Sequence, residues 1–156
     1  EKDATTWQRL PAQEPRRELR RLGTITMTTE THQPTKSEEL AAVISSIHDA
    51  IPELFGVMIA SIDGLAVAHD LPEGDAERIA AMAATALGLG SRISERTNLG
   101  ALNETVVRGA KGHLVVYATG SDAVLVLTGP LDSNLTLMRL EARVASVQIN
   151  ALLGRH

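Results

Sequence analysis

Residues 56–70, GVMIASIDGLAVAHD, hold two short apolar runs on either side of Asp63-Gly64. An Asp-Gly pair between partly alternating runs is a hairpin signal, because glycine takes positive φ without steric cost and aspartate tolerates it. The stretch therefore predicts two antiparallel strands, drawn from LFGVMIAS and LAVAH. Whether that hairpin frames a ligand pocket or a surface for other proteins depends on what lies around it.

Upstream, Pro52 stops a helix expected over about Ser37 to Ala50. Ser37 is read as its cap, with acidic residues in the first turn, and Leu40, Val43, Ile44, Ile47 and Ile51 recur at helical spacing. Downstream, PEGDAERIAAMAATALGLGSRISERT predicts a long central helix ending near Thr97. Its bulky residues Ile79, Met82, Leu89 and Ile93, with Ala86 between, form one row expected to face the sheet. A second row, Ala81, Ala84, Gly88 and Ser91, is small and flanked by Glu77 and Glu95. Gly88 and Gly90 each cost about 1 kcal/mol relative to Ala inside a helix, which points to a close approach there, most naturally by another helix.

Three strands are then expected in ALNETVVRG, GHLVVYAT and DAVLVLTG, with turns at Gly109 to Gly112 and Gly120 to Asp122. After Gly129-Pro130, Asp132 or Ser133 is the expected cap of a terminal helix that buries Leu135, Met138, Ala142, Ala145, Ile149 and Leu152. The order is helix, two strands, helix, three strands, helix, an α+β pattern.

Residues 1–37 differ: polar, Thr-rich and punctuated by Pro11, Pro15 and Pro34. EPRRELRRLG suits a short basic helix that could anchor on an anionic surface, but so few apolar residues are available to dock it that a solvated tail is the expectation. Met27 also suits a native start, which would make the first 26 residues an upstream extension. The domain proper is expected over 38–154.

Composition narrows the chemistry. Of 156 residues 44% are hydrophobic but only 2% aromatic, namely Trp7, Phe55 and Tyr117, so the core must be aliphatic with many Ala and Gly contacts. A net charge of -4 offers no general attraction for phosphate backbones, which argues against nucleic acid as a partner. With no cysteine there is no disulfide framework or thiolate metal site, and no apolar run is long enough for membrane insertion or a signal peptide. A cytoplasmic location is expected, and the sequons at Asn103 and Asn134 are read as chance matches.

Catalytic material is thin. His32, His48, His69, His113 and His156 are scattered without metal-ligand spacing. His69-Asp70 resembles a proton-handling pair, yet an exposed strand-end histidine is the plainer reading for it and for His113. ALGLGSR lies inside a helix and lacks a third glycine, so it is no dinucleotide fingerprint, and GAKG is a turn without a following Ser or Thr. Arg78, Arg92 and Arg96 on the central helix are read as solvated or helix-paired rather than as arginine fingers.

GVMIASIDGLAVAH, DAERIAAMAATALGLGSRI, LVVYATGSDAVLVLTG and SNLTLMRLEARVASVQINALL, in that order, resemble the Roadblock/LC7 family, and most closely its bacterial MglB-like members, over about Leu40 to Leu153. The resemblance implies a five-stranded antiparallel sheet with the central helix on one face and the two terminal helices on the other. It also implies a homodimer that pairs the third strand and the central helix with their mates, consistent with an exposed edge strand and a small helix row. Ala81, Ala84, Gly88 and Ser91 on the helix, with Glu104, Val106 and Arg108 on the strand, are the implied interface. The implied partner is a Ras-like small GTPase, regulated, as by the GTPase-activating MglB-like members, through a platform of paired helices rather than by a catalytic residue or cofactor of this chain. Glu77, Arg78, Thr85, Arg92, Glu95 and Arg96 are the candidates to face it. Two other readings stand beside this one: a non-catalytic adaptor joining a GTPase to a sensor kinase, and a small-molecule sensor, which needs a pocket that the dense small-residue packing disfavours.

Overall fold

A computed structural model describes residues 31–72 and 74–154. The basic segment EPRRELRRLG lies outside the described residues. The elements belong to one compact unit beginning at Pro34. They are α1 (Lys36–Ala50), β1 (Gly56–Ser61), β2 (Ala66–His69), α2 (Ala76–Arg96), β3 (Glu104–Arg108), β4 (His113–Thr119), β5 (Ala123–Gly129) and α3 (Leu135–Leu153), in the order expected.

The helix caps fall one or two residues from the expected ones. Thr35 caps α1, not Ser37: its hydroxyl accepts from the Glu38 N–H at 3.2 Å while the Glu38 carboxylate accepts from the Thr35 N–H at 2.7 Å. Only Thr35 has an acidic residue three positions on, as this reciprocal box requires. Asn134 caps α3 instead of Asp132 or Ser133, its side-chain oxygen accepting from the Leu137 N–H at 3.1 Å.

The five strands form one antiparallel sheet in the order β2-β1-β5-β4-β3. The β1–β2 connection is the four residues Ile62-Asp63-Gly64-Leu65: the Ser61 N–H donates to the Leu65 carbonyl at 2.8 Å and the Gly64 N–H to the Ser61 carbonyl at 3.0 Å. Only Gly64 takes positive φ, at 88°, so the Asp-Gly signal is met by a turn closed with one left-handed residue. A Cβ on Gly64 would also lie 3.0 Å from the Ala81 Cα, which ties the hairpin tip to α2.

Strands β1 and β5 are buried on both faces, which explains their nearly continuous apolar sequence. On one face α1 and α3 lay Leu40, Val43, Ile44, Ile47, Met138, Ala142, Ala145 and Ile149 over Val57, Ile59, Val115, Leu125 and Leu127. On the other, α2 alone packs Ala80, Ala83 and Leu87 against Met58, Ala60, Val116, Val124 and Val126. This is the predicted one-helix and two-helix arrangement.

The rotation of α2 is the main departure. Its sheet-facing row is Ala80, Ala83, Leu87 and Ser94, whereas Met82, Leu89 and Ile93 are 62%, 58% and 53% exposed. The reason lies in the sheet. Met58, Val116, Val124 and Val126 already supply bulk beneath the helix, and close packing fixes the total volume, so α2 contributes small side chains there.

The two helix glycines separate accordingly. A Cβ at Gly90 would come within 2.7 Å of the Thr105 hydroxyl and 2.9 Å of Leu102, while one at Gly88 meets nothing within 4 Å. Gly88→Ala is therefore expected to stabilise the domain by about 0.5–1 kcal/mol through helix propensity. Gly90→Val should destabilise it by about 1–3 kcal/mol through overpacking. Urea titration of both variants checks the opposite signs.

Candidate functional site

The exposed part of α2 continues onto the sheet edge. Gly90 lies on the helix between the buried row and the Met82–Leu89–Ile93 row, and it packs on Thr105 of β3. Ala81, on the opposite flank, packs on the hairpin tip through Gly64. The apolar row is thus the flank of α2 nearer β3. Side chains alternate along β3, so Val107, 55% exposed, shares the helix face with Thr105. Because among the described residues β3 pairs only with β4, its other edge presents backbone donors and acceptors that no described strand meets. An open strand edge beside an uncovered apolar helix row is a surface shaped for another protein chain.

The residues expected to carry function fall as follows. Gly88 is exposed, and Ala84 and Ser91 are half-buried on the small flank with Ala81. Arg78, Thr85, Arg92 and Arg96 run along the outer ridge, with Glu77 and Glu95 toward the small flank, all six exposed. The Thr85 hydroxyl donates to the Ala81 carbonyl at 2.8 Å. Val106 and Arg108 are exposed, and Glu104 is turned inward, its carboxylate held by Arg139 of α3. Sequence reasoning overlooked Met82, Leu89 and Ile93 as surface residues because it assigned them to the core.

The histidine readings divide: that of His113 changes and that of His69, an exposed strand-end histidine, holds. His113 is buried at the start of β4 rather than exposed. Asp70 is engaged by His48 of α1, not by its neighbour His69, and its other oxygen accepts from the Val57 N–H at 2.7 Å. This cluster fastens α1 to the hairpin and leaves His69 exposed. Among the described residues no group of three or more His, Asp or Glu side chains is placed to hold a metal ion. No described helix is long and apolar enough to cross a membrane.

On the two-helix face, α3 stops short of β3 and leaves a cleft of about 630 Å³ lined by Asn103, Glu104, Tyr117, Ala118, Arg139, Ala142, Arg143, Ser146 and Val147. Arg139 spans its mouth, its Nε 2.8 and 2.9 Å from the two Glu104 carboxylate oxygens. Tyr117 forms the floor, 7% exposed, with its hydroxyl buried and without a hydrogen-bond partner. Burial, and secondarily the Glu104 charge, push the Tyr117 phenol well above its ordinary range, against a smaller lowering by Arg139.

That shift has a sign. The unfolded chain releases the phenolic proton near pH 10, the folded chain only at higher pH, so the tyrosine's contribution to stability is intact below about pH 10 and is lost above it. Tyr117 is the only tyrosine in the chain, so its tyrosinate absorbance reads this residue alone. In the folded protein that absorbance is expected to stay absent through about pH 10–11 and to emerge together with unfolding. Tyr117→Phe should flatten the alkaline fall in stability.

The chain matches known proteins over most of this unit. The Roadblock/LC7 domain family model matches residues 49–128. Uncharacterized proteins of Methanocaldococcus jannaschii are 34% identical over 98 residues, covering 62% of this chain and 85% of theirs. A Roadblock/LC7 domain from Streptomyces avermitilis superposes with a TM-score of 0.68 at 21% identity, covering 73% of this chain and 97% of that one. MglB of Myxococcus xanthus gives 0.66 at 19% identity, with 74% and 95% covered. The gliding protein MglB of Thermus thermophilus gives 0.67 at 17% identity, with 77% and 92% covered. At these identities the structural likenesses speak for the fold.

Proposed function

Because this chain belongs to the Roadblock/LC7 domain family, we propose that it is a homodimeric regulator of a Ras-like small GTPase. The observation that carries the reading is the unpaired β3 edge lying beside the exposed Met82–Leu89–Ile93 row of α2. Pairing β3 with a second copy would satisfy the open backbone, and the apolar rows would cover one another in the same act. The likeness in fold to MglB supports the GTPase as the partner class. The sequence-derived interface, Ala81, Ala84, Gly88 and Ser91 with Glu104, Val106 and Arg108, shares β3 with this surface and differs in the helix row.

Paired α2 helices form a platform whose ridge presents Arg78, Thr85, Arg92 and Arg96, flanked by Glu77 and Glu95. Such a platform acts by holding the GTPase switch loops in a hydrolysis-competent arrangement, with no group donated to the phosphate. The test is single-turnover GTP hydrolysis by the Ras-like GTPase encoded nearest to this protein, with and without an excess of it. Acceleration of about tenfold or more, some 1.4 kcal/mol of barrier, is expected. Binding without acceleration would make the protein an adaptor, and neither effect would remove the GTPase reading.

A further inference from the structure

The cleft beneath Arg139 has the features of a ligand site; it meets the pairing surface at Glu104 of β3 and does not rest on the GTPase reading. Ile59, Leu125, Tyr117 and Glu104 are successive cross-strand partners, so they form one row running from the core to the sheet edge. The first two are wholly buried and aliphatic. A phenylalanine in third place would continue that row at no polar cost, yet the chain puts its single tyrosine there. Its hydroxyl is buried at the floor of the cleft with no partner, whereas a buried hydroxyl ordinarily has one and costs about 1–3 kcal/mol without it.

The walls specify the ligand. Glu104, Arg139 and Arg143 are the charged residues lining the cleft, one negative and two positive, leaving one positive charge. Arg139 is engaged by Glu104, while Arg143, one turn further along α3, has no acidic partner among the described residues. Asn103 and Ser146 add polar groups, and Ala118, Ala142 and Val147 add apolar wall. Alanine at 118 and 142 keeps open a volume within the range of small-molecule sites, about 300–1,000 Å³.

We propose that this cleft binds a small organic oxyanion, a carboxylate or a phosphate monoester, with its acidic group on the Arg143 guanidinium and an acceptor oxygen on the Tyr117 hydroxyl. The planar guanidinium suits both acids, since it offers paired N–H donors to two oxygens at once. Glu104 is both a wall of the cleft and the first residue of β3, so the ligand sits one side chain from the open edge.

The experiment uses full-length protein carrying isotope-labelled tyrosine, which gives a single tyrosine resonance. Succinate and glycerol phosphate are titrated separately at constant ionic strength. A saturable shift of that resonance with either is expected, succinate identifying a carboxylate site and glycerol phosphate a phosphate site. Arg143→Gln, an exposed position whose change should leave the melting temperature unaltered, is expected to weaken binding about tenfold or more. Tyr117→Phe, followed by calorimetry, should weaken it about fivefold, the scale of one neutral hydrogen bond. No saturable shift with either anion, or one that Arg143→Gln leaves unchanged, overturns the proposal.

Discussion

Leu89→Glu is expected to halve the mass of the protein in light scattering while its far-ultraviolet circular dichroism stays that of the folded domain. Leu89 is 58% exposed at the centre of the Met82–Leu89–Ile93 row, so a carboxylate there remains in water in the single chain and disturbs no core contact. Across a paired apolar row it would be buried without a partner. The loss of a buried leucine costs about 1.5–3 kcal/mol, and an unpaired carboxylate adds several more. Together these shift the dissociation constant by about a thousandfold or more. Gly88→Leu probes the small row in the same way, since the side chain it adds would project into open space in the single chain. Dissociation by Leu89→Glu with Gly88→Leu still dimeric assigns the interface to the bulky row, and the reverse assigns it to Ala81, Ala84, Gly88 and Ser91. An unchanged mass for both would remove the α2-mediated dimer.

Leu125→Ala is expected to cost about 3–4 kcal/mol, and to lower the melting temperature by about 10–15 °C for a domain of this size. Leu125 has no exposed surface, lies on central strand β5, and is flanked across the strands by Ile59 and Tyr117. Helices cover it from one side and the sheet continues on both edges, so the site has little freedom to collapse into the space a leucine leaves. Leu89→Ala removes the same atoms from an exposed position, and in the dissociated chain should change stability by less than about 0.5 kcal/mol. Chemical denaturation at a protein concentration below dimerisation compares the two. Equal losses would mean that α2 turns its bulky row inward after all.

How much was legible beforehand differs by element. The apolar runs around Asp63-Gly64 and from Leu114 to Gly129 mark strands because alternation, branched side chains and glycine turns act within a few residues of each other. The buried row of α1 was equally plain, since its large aliphatic residues fall on one side only. The expected row of α3, with Met138, Ala142, Ala145 and Ile149, is the buried one although Leu140, Val144 and Val147 lie exposed on its other side. In α2 the two flanks carry different apolar sets, Met82, Leu89 and Ile93 against Ala80, Ala83 and Leu87. Periodicity favours the larger set. That preference fails where the opposing surface brings its own bulk.

The cleft was not legible at all. Glu104 and Arg139 are 35 residues apart, and nothing local to either indicates the other. Tyr117 reads as one more strand residue until β4 is set beside β3 and beneath α3. Asp70 similarly finds His48 only because α1 crosses the sheet at the hairpin, while its sequence neighbour His69 points away into solvent.

The order and type of the elements, the hairpin, the turns and the polar stretch before the first helix follow from the sequence by itself, because backbone conformational preference and burial periodicity are properties of short segments. Which side of α2 meets the sheet and which charges converge on Tyr117 were decided by the tertiary structure. Those outcomes depend on volumes and distances between segments far apart in the chain, and close packing sets them only once all the segments are in place.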